Sequence, residues 1–198
     1  MKQVDYYFTL ASPWSYLGHE RLIAIARRTD TAIAFKPIDH GRAFPAAGTL
    51  RLKDRPPARK AYRLFELKRW RDHLKIPLVI EPKYFPVDDR LAARMVVAAC
   101  QAGYYAAALS LAFMRAVWVQ EQNIADPETL DHIAGTIGFV GASLRASAET
   151  IEVQAAYDAN TEEAIARKVF GLPFYIYRDE PFWGQDRLDF LERALRSG

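Results

Sequence analysis

The chain has 198 residues, 51% of them hydrophobic and 13% aromatic, which is enough apolar material for one well-packed core. Its one cysteine, Cys100, excludes an intramolecular disulfide and any zinc site that needs two thiolates, and a formal net charge of +3 is too small to indicate nucleic acid. No signal-peptide pattern and no apolar run of about 20 residues is found, so we expect a cytoplasmic protein that does not enter the membrane.

The beginning of the chain has the pattern of a strand, a helix and a second strand. Residues 3–10 are almost continuously apolar, as in a buried central strand. Ser12 followed by Pro13 suits the N-cap and first position of a helix that runs to Arg28. Residues 31–38 are predicted to form the second strand, so a right-handed unit with parallel strands is expected.

The middle of the chain is predicted to be helical. Residues 41–55 have the glycine and proline content of a loop. Helical periodicity then continues to residue 168, with Asp88 and Asp126 as predicted N-caps. The predicted helices span residues 58–75, 88–101, 104–121, 127–137 and 148–168.

The end of the chain returns to short strands. Residues 174–177 and 181–183 are predicted as two strands joined by a turn, followed by a helix over residues 185–196. The order βαβ, helical block, ββα predicts an α/β, thioredoxin-like fold with a four-stranded sheet and a large all-helical insertion. We assign residues 1–55 and 169–198 to the thioredoxin-like domain and residues 56–168 to the inserted helical domain.

The loop after the first strand is where thioredoxin-like oxidoreductases carry their C-x-x-C motif. Here it reads Ser12-Pro13-Trp14-Ser15, so disulfide exchange at this place is excluded. One interpretation is that Ser12 is only an N-cap. The other is that its hydroxyl donates to a bound thiolate, which would lower the pKa of that thiol together with the positive end of the helix.

A second signal is Leu172-Pro173, which precedes the third strand. In thioredoxin-like folds a cis-proline opens this strand, and the residue before it offers its backbone to a peptide-like ligand. The alternative is an ordinary proline at a strand start.

Basic residues are concentrated in residues 51–75, which hold ten Lys or Arg and three Asp or Glu. A solvated helix face is one explanation. A cationic rim that attracts a small ligand with several carboxylates is the other.

These motifs resemble those of the 2-hydroxychromene-2-carboxylate isomerases and kappa-class glutathione transferases, within the wider DsbA-like group. The resemblance covers nearly the whole chain, and the run FWGQDRL looks like the isomerase branch in particular. It is carried by residues 5–18, 35–39, 54–62, 69–70 with 76–78, 167–173 and 182–188.

The resemblance implies glutathione as the cofactor. Ser12 would stabilise its thiolate, and Leu172 with Pro173 would clamp its cysteinyl backbone. The residues that would line its γ-glutamyl end are Trp183, Gly184, Gln185 and Asp186.

The resemblance also implies a substrate site on the helical insertion, formed by Asp54, Arg55 and Tyr84, with Arg55 as a partner for a carboxylate. Asp54 departs from the family, which commonly has asparagine here, as does Asp88. Because a carboxylate repels an anion, either the substrate differs or a basic neighbour neutralises Asp54. The roles of Lys36 and Asp39 are not assigned.

The expected function is therefore a glutathione-dependent isomerase, similar to 2-hydroxychromene-2-carboxylate isomerase, that acts on an aromatic carboxylate by reversible thiol addition and ring opening. A kappa-class glutathione transferase and a non-catalytic DsbA-like binding module are the alternatives. The resemblance implies a homodimer. No metal is expected, because the four histidines show no metal-ligand spacing.

Overall fold

The computed structural model describes residues 1–197 of the chain, so the predicted thioredoxin-like domain ends at Gly198, outside the described residues. The strands among them are β1 (Lys2–Phe8), β2 (Thr31–Pro37), β3 (Phe174–Tyr177) and β4 (Glu180–Trp183). The helices are α1 (Pro13–Arg28), α2 (His40–Ala46), α3 (Pro57–Leu74), α4 (Arg90–Gln101), α5 (Ala106–Trp118), α6 (Pro127–Thr136), α7 (Gly141–Ala148), α8 (Ile151–Ala166) and α9 (Leu188–Ser197). Short 3₁₀ turns lie at Leu52–Asp54 and Gln185–Arg187. In this part of the chain, no helix combines the length and apolar character needed to cross a bilayer.

The strands form one mixed sheet in the order β2-β1-β3-β4. β2 runs parallel to β1, whereas β3 is antiparallel to β1 and β4 is antiparallel to β3. Helices α3 to α8 are inserted between β2 and β3. This arrangement confirms the predicted thioredoxin-like fold with its four-stranded sheet and helical insertion.

The second half of β1, residues 6–8, is apolar and buried because both faces of the sheet are covered there. Val4, Tyr6 and Phe8 belong to the larger core, which packs the sheet against α1, α9 and the insertion. Tyr7 points to the opposite face, into a smaller core under α2 and α8. The Tyr6 ring stacks on Phe8 at 4.4 Å and on Tyr175 at 5.4 Å between ring centres. This stack joins β1 to β3.

The predicted loop after β2 is wrong in its first part, because α2 lies there. The Asp39 carboxylate caps this helix by accepting a hydrogen bond from the Gly41 N–H at 2.8 Å. Pro45 has no N–H to donate to the Gly41 carbonyl, and the Arg51 guanidinium donates to that carbonyl instead, at 3.0 Å. The sequence also predicts no helix where α7 lies.

Lys36 and Asp39 both fasten the sheet to α8. The Lys36 ammonium forms ion pairs with Asp5 at 3.2 Å and with Glu163 at 2.7 Å. Arg167 of the same helix region pairs with Asp5 at 3.2 Å. The Asp39 N–H donates to the Thr161 hydroxyl at 3.0 Å. These contacts give the two residues a structural role.

His19 of α1 is only 1% exposed, among the rings of the larger core. Its Nε2–H donates to the Ala107 carbonyl at 2.9 Å, which ties α1 to α5. Burial lowers the pKa of His19 to about 4. The imidazole is therefore neutral in the folded protein near neutral pH.

We predict that this buried imidazole makes the fold sensitive to acid. The unfolded chain binds a proton at His19 below about pH 6.5, whereas the folded protein does so only near pH 4. The free energy of unfolding should therefore fall as the pH drops through this window, by about 3 kcal/mol in total. Urea unfolding should show a smaller pH slope for His19→Gln than for wild type. The exposed His132→Gln is the control, and equal slopes in all three proteins would contradict the prediction.

Candidate active site

Three segments that the sequence singles out meet at one end of the sheet. The chain leaves β1 and reaches Ser12 four residues later. Phe174, at the start of β3, is paired with Tyr7 near the end of β1 and with Trp183 at the end of β4. Because Pro173 immediately precedes Phe174, it lies at this same end of the sheet. The strand register therefore brings residues from both ends of the chain to one place.

Ser12 is the N-cap of α1 and is half-buried. Its Oγ accepts a hydrogen bond from the Ser15 N–H at 3.2 Å, which leaves the hydroxyl hydrogen available for donation. Within residues 1–197, no acceptor is recorded for the Trp14 N–H, and the first turn of α1 holds no acidic residue. A hydroxyl, a free N–H and the positive end of a helix together make a site for an anion.

A buried carboxylate holds the loop that leads to Ser12. Asp89 is 3% exposed, and its Oδ2 accepts hydrogen bonds from the Thr9 hydroxyl and from the Ala11 N–H, the latter at 3.0 Å. Asp89 is also the N-cap residue of α4, but its side chain makes no capping bond. The prediction of Asp88 as the N-cap is therefore wrong, because Asp88 lies one residue further out and pairs with Arg90.

The Leu172–Pro173 peptide bond is cis, as predicted. Pro173 is fixed to the end of β4, because its carbonyl accepts a hydrogen bond from the Gly184 N–H at 2.9 Å. Across the described part of the chain, no partner is recorded for the N–H or the C=O of Leu172. This residue can therefore pair with the backbone of an extended ligand.

Trp183 covers the turn before this proline. The Trp183 ring contacts Phe170 at 4.9 Å between centres and is 52% exposed. Its indole lies so close to Gly171 that a Cβ built on the glycine would stand 2.3 Å from Nε1. The glycine is required here because any side chain would displace the indole.

Gln185 and Asp186 follow at the start of the last helical segment. The Gln185 side chain is buried and accepts a hydrogen bond from Arg21 at 2.7 Å, so it points into the protein. The exposed Asp186 carboxylate pairs with Arg187 at 2.6 Å. No acceptor among residues 1–197 is recorded for the backbone N–H of either Gln185 or Asp186. Gln185 can therefore offer a ligand its backbone N–H but not its side chain.

Of the predicted substrate residues, Asp54 and Arg55 lie in the turn just before α3, and Tyr84 lies on the insertion between α3 and α4. Asp54 is exposed, and no Lys, Arg or His among residues 1–197 lies within ion-pair distance of its carboxylate. The structure therefore shows no ion pair that would neutralise Asp54. The Arg55 Nε–H donates to the Leu50 carbonyl at 3.2 Å, and burial together with nearby Arg59 lowers the pKa of the Arg55 guanidinium. Tyr84 is 38% exposed.

Two residues of interest near the candidate site, Asp89 and Arg63, were not singled out by the sequence. The Arg63 guanidinium lies 5.3 Å from the centre of the Phe85 ring. Neither residue stands in a recognisable motif, since Asp89 follows another aspartate and Arg63 is one of many basic residues in its segment. Within residues 1–197, no group of His, Cys, Asp or Glu is arranged to hold a metal ion.

The sequence profile of the DSBA-like thioredoxin domain matches residues 3–196. The chain therefore belongs to the DSBA-like thioredoxin domain family. Its curated homologues include the 2-hydroxychromene-2-carboxylate isomerase of Sphingobium xenophagum, which is 33% identical over 98% of this chain and 98% of that protein. The isomerase of the same name from Pseudomonas putida is 33% identical over 97% of this chain and 93% of that protein.

Solved structures show the same relationship. A 2-hydroxychromene-2-carboxylate isomerase structure superposes with a TM-score of 0.83 at 30% identity, covering 98% of this chain and 94% of the other. A probable DsbA oxidoreductase from Streptomyces coelicolor superposes with a TM-score of 0.77 at 20% identity, covering 100% of this chain and 89% of the other. The second likeness concerns the fold alone.

We predict that Asp89→Ala lowers the free energy of unfolding by about 3 kcal/mol, because two buried donors, the Thr9 hydroxyl and the Ala11 N–H, lose their acceptor. Asp88→Ala is the matched control, since it removes an exposed ion pair with Arg90 that is worth about 1 kcal/mol or less. Denaturant unfolding of the two variants measures the difference. Equal losses would show that Asp89 does not hold the loop.

We also predict that Gly171→Ala destabilises the protein by about 1–3 kcal/mol, because the new Cβ collides with the Trp183 indole. In a Trp183→Ala background the same substitution should have little effect, which a double-mutant cycle measures. Gly135→Ala is the control, because nothing lies within 4 Å of the added carbon. Additive effects of the two substitutions would contradict the close contact.

Proposed function

We propose that the protein is a glutathione-dependent isomerase that acts on an aromatic-degradation intermediate of the 2-hydroxychromene-2-carboxylate type. The 33% identity to two such isomerases over nearly the whole chain supports this proposal. The observation that carries it is the pair of unengaged donors, the Ser12 hydroxyl and the Trp14 N–H, at the start of α1. They form a site for a thiolate in a loop that has no thiol of its own.

The residues at this end of the sheet fit glutathione. The unpaired backbone of Leu172 suits the central peptide unit of the tripeptide. The N–H groups of Gln185 and Asp186 suit its γ-glutamyl carboxylate. Glutathione supplies, when bound, a thiol that can add to an electron-poor carbon–carbon double bond and leave again.

The task of the protein residues is to keep that thiol anionic. Ser12 donates its hydroxyl hydrogen to the sulfur position, and the Trp14 N–H and the helix dipole act on the same place. One such helix-terminus interaction is worth about 0.3–1 kcal/mol when exposed and up to about 2 kcal/mol when partly buried. Since about 1.4 kcal/mol corresponds to one pKa unit, the pKa of the thiol should fall by about one unit. Ser15 cannot form a disulfide with it, so the site serves addition and not redox exchange.

The turn before α3 and the insertion provide the groups that orient an aromatic anion. In this proposal Arg55 attracts the carboxylate of the substrate, and Tyr84 lies against its ring. Asp54 keeps an exposed negative charge with no ion pair among residues 1–197, which disfavours a second anionic group at that place. The homodimer, the cytoplasmic location and the division into two domains remain predictions from the sequence.

We predict that Ser12→Ala lowers turnover of 2-hydroxychromene-2-carboxylate roughly 100-fold, the usual effect of losing one donor to a stabilised anion. The free energy of unfolding should fall by only about 1 kcal/mol, as for other lost N-caps. The pKa of bound glutathione, followed by thiolate absorbance in the ultraviolet, should rise. Thr150→Ala is the matched control, because this residue caps α8 in the same way at 3.4 Å from the Val153 nitrogen.

Turnover that falls equally in both variants would reduce Ser12 to a structural cap. Return of glutathione after each turnover supports the isomerase. Its steady consumption with an aryl halide would identify a kappa-class transferase instead, and no calorimetric binding of glutathione would identify a non-catalytic module.

A further inference from the structure

Arg63 of α3 differs from the other partly buried arginines of the molecule. It shows no hydrogen bond, and no carboxylate within residues 1–197 lies within ion-pair distance of it. Every other partly buried arginine in that part of the chain donates at least one hydrogen bond to a carbonyl or carboxylate: Arg21, Arg55, Arg71, Arg94, Arg145 and Arg167.

The surroundings of Arg63 are themselves cationic. Burial and the neighbouring Arg55 lower the pKa of the Arg63 guanidinium to about 10. Glu81 acts in the opposite direction but is too far away for an ion pair. A partly buried cation beside another cation is unfavourable, and an anionic ligand bound here would stabilise it.

The position of Arg63 is fixed by an aromatic ring. Its guanidinium faces Phe85 at 5.3 Å, and the Phe85 ring packs in turn against buried Trp118 at 4.8 Å between centres. Phe85 belongs to the segment before α4 that ends at Asp89, whose carboxylate holds the loop preceding Ser12. One short segment thus contacts both Arg63 and the Ser12 loop.

We propose that Arg63 binds the carboxylate of the aromatic substrate together with its neighbour Arg55, and that Phe85 holds the guanidinium plane of Arg63 in place. A planar guanidinium can donate two parallel hydrogen bonds to a carboxylate, which an ammonium cannot do. The assignment rests on the proposed function for the identity of the substrate. It explains why this cation is left without a partner inside the protein.

The test compares Arg63→Gln with Lys68→Gln, which removes one positive charge from the exposed side of the same helix. Calorimetry would measure binding of 2-hydroxybenzoate and of its neutral analogue 2-hydroxybenzamide. We expect wild type and Lys68→Gln to prefer the carboxylate, and Arg63→Gln to bind it roughly 10- to 100-fold more weakly, with most of that preference lost. For the chromene carboxylate, KM should rise by a similar factor while kcat changes little.

Two further variants separate binding from packing. Arg63→Lys keeps the charge and should restore only part of the affinity. Arg63→Met keeps side-chain length over Phe85 without the charge, so it should melt like wild type but lose the preference for the carboxylate. If Arg63→Met or a folded Arg63→Gln keeps both this preference and the wild-type KM, Arg63 only packs and the proposal is wrong.

The outcomes distinguish this inference from the proposed function. Carboxylate binding that depends on Arg63, in a protein that does not isomerise the chromene carboxylate, supports the anion site and refutes the proposed reaction. Isomerisation with an unchanged KM in Arg63→Gln supports the reaction and refutes the anion site. A wild-type protein that binds neither probe also refutes the anion site.

Discussion

The antiparallel pairing of β3 with β1 is the constraint on which the candidate site depends. It sets Phe174 beside Tyr7, although more than 160 residues of chain separate them. The segment before Phe174 is thereby placed at the end of the sheet where the chain turns into α1. The position of Leu172 and Pro173 relative to Ser12 follows from this register, because a shift by one residue would turn the alternating side chains of β3 to the other face. The stacked rings of Tyr6 and Tyr175 and the two cores on either side of β1 keep the register in place.

The charges around the site are arranged in layers. At the start of α1 the protein offers only neutral donors, a hydroxyl and an N–H, aided by the helix dipole. Behind them lies the Asp89 carboxylate, whose charge is stabilised by two hydrogen bonds from the loop. Further out, α3 and the turn before it carry the cations Arg55, Arg59 and Arg63.

If the proposed function is correct, one scaffold serves two kinds of thiol chemistry. A helix start that lowers the pKa of a cysteine in a C-x-x-C loop acts equally on a thiol that comes from outside. Here Ser12 and Ser15 take the places of the two cysteines. The start of α1 can still stabilise a thiolate, but the loop has no pair of thiols that could be oxidised to a disulfide. Likeness of fold to disulfide oxidoreductases at 20% identity or less therefore says nothing about the reaction. The residues at the site decide it.

Some features of the site could be predicted from local sequence. Ser12 followed by a proline predicts the start of α1. The apolar residues 6–8 of β1 indicate a strand that is covered on both faces. The cis form of the Leu172–Pro173 bond was expected from the thioredoxin-like fold and not from local sequence, and the structure confirms it. The first two features depend on neighbouring residues or on strict periodicity, which is why the order of strands and helices was also predictable. The short helix α2 was not, because its proline is tolerated only through a hydrogen bond from Arg51 to the freed carbonyl.

What the sequence determined by itself is the order of the strands and longer helices, the absence of an intramolecular disulfide and the helix start at Ser12. Only the tertiary structure decided that Asp89, and not its neighbour Asp88, turns inward to hold the Ser12 loop. It also decided that Gln185 points away from the site and that Arg63 is left without a counter-charge. The physical reason is that periodicity reports which face of an element is buried, whereas the partner of a polar side chain is set by segments far away in the chain. Hydrogen bonds and ion pairs across such distances exist only once the strands are in register.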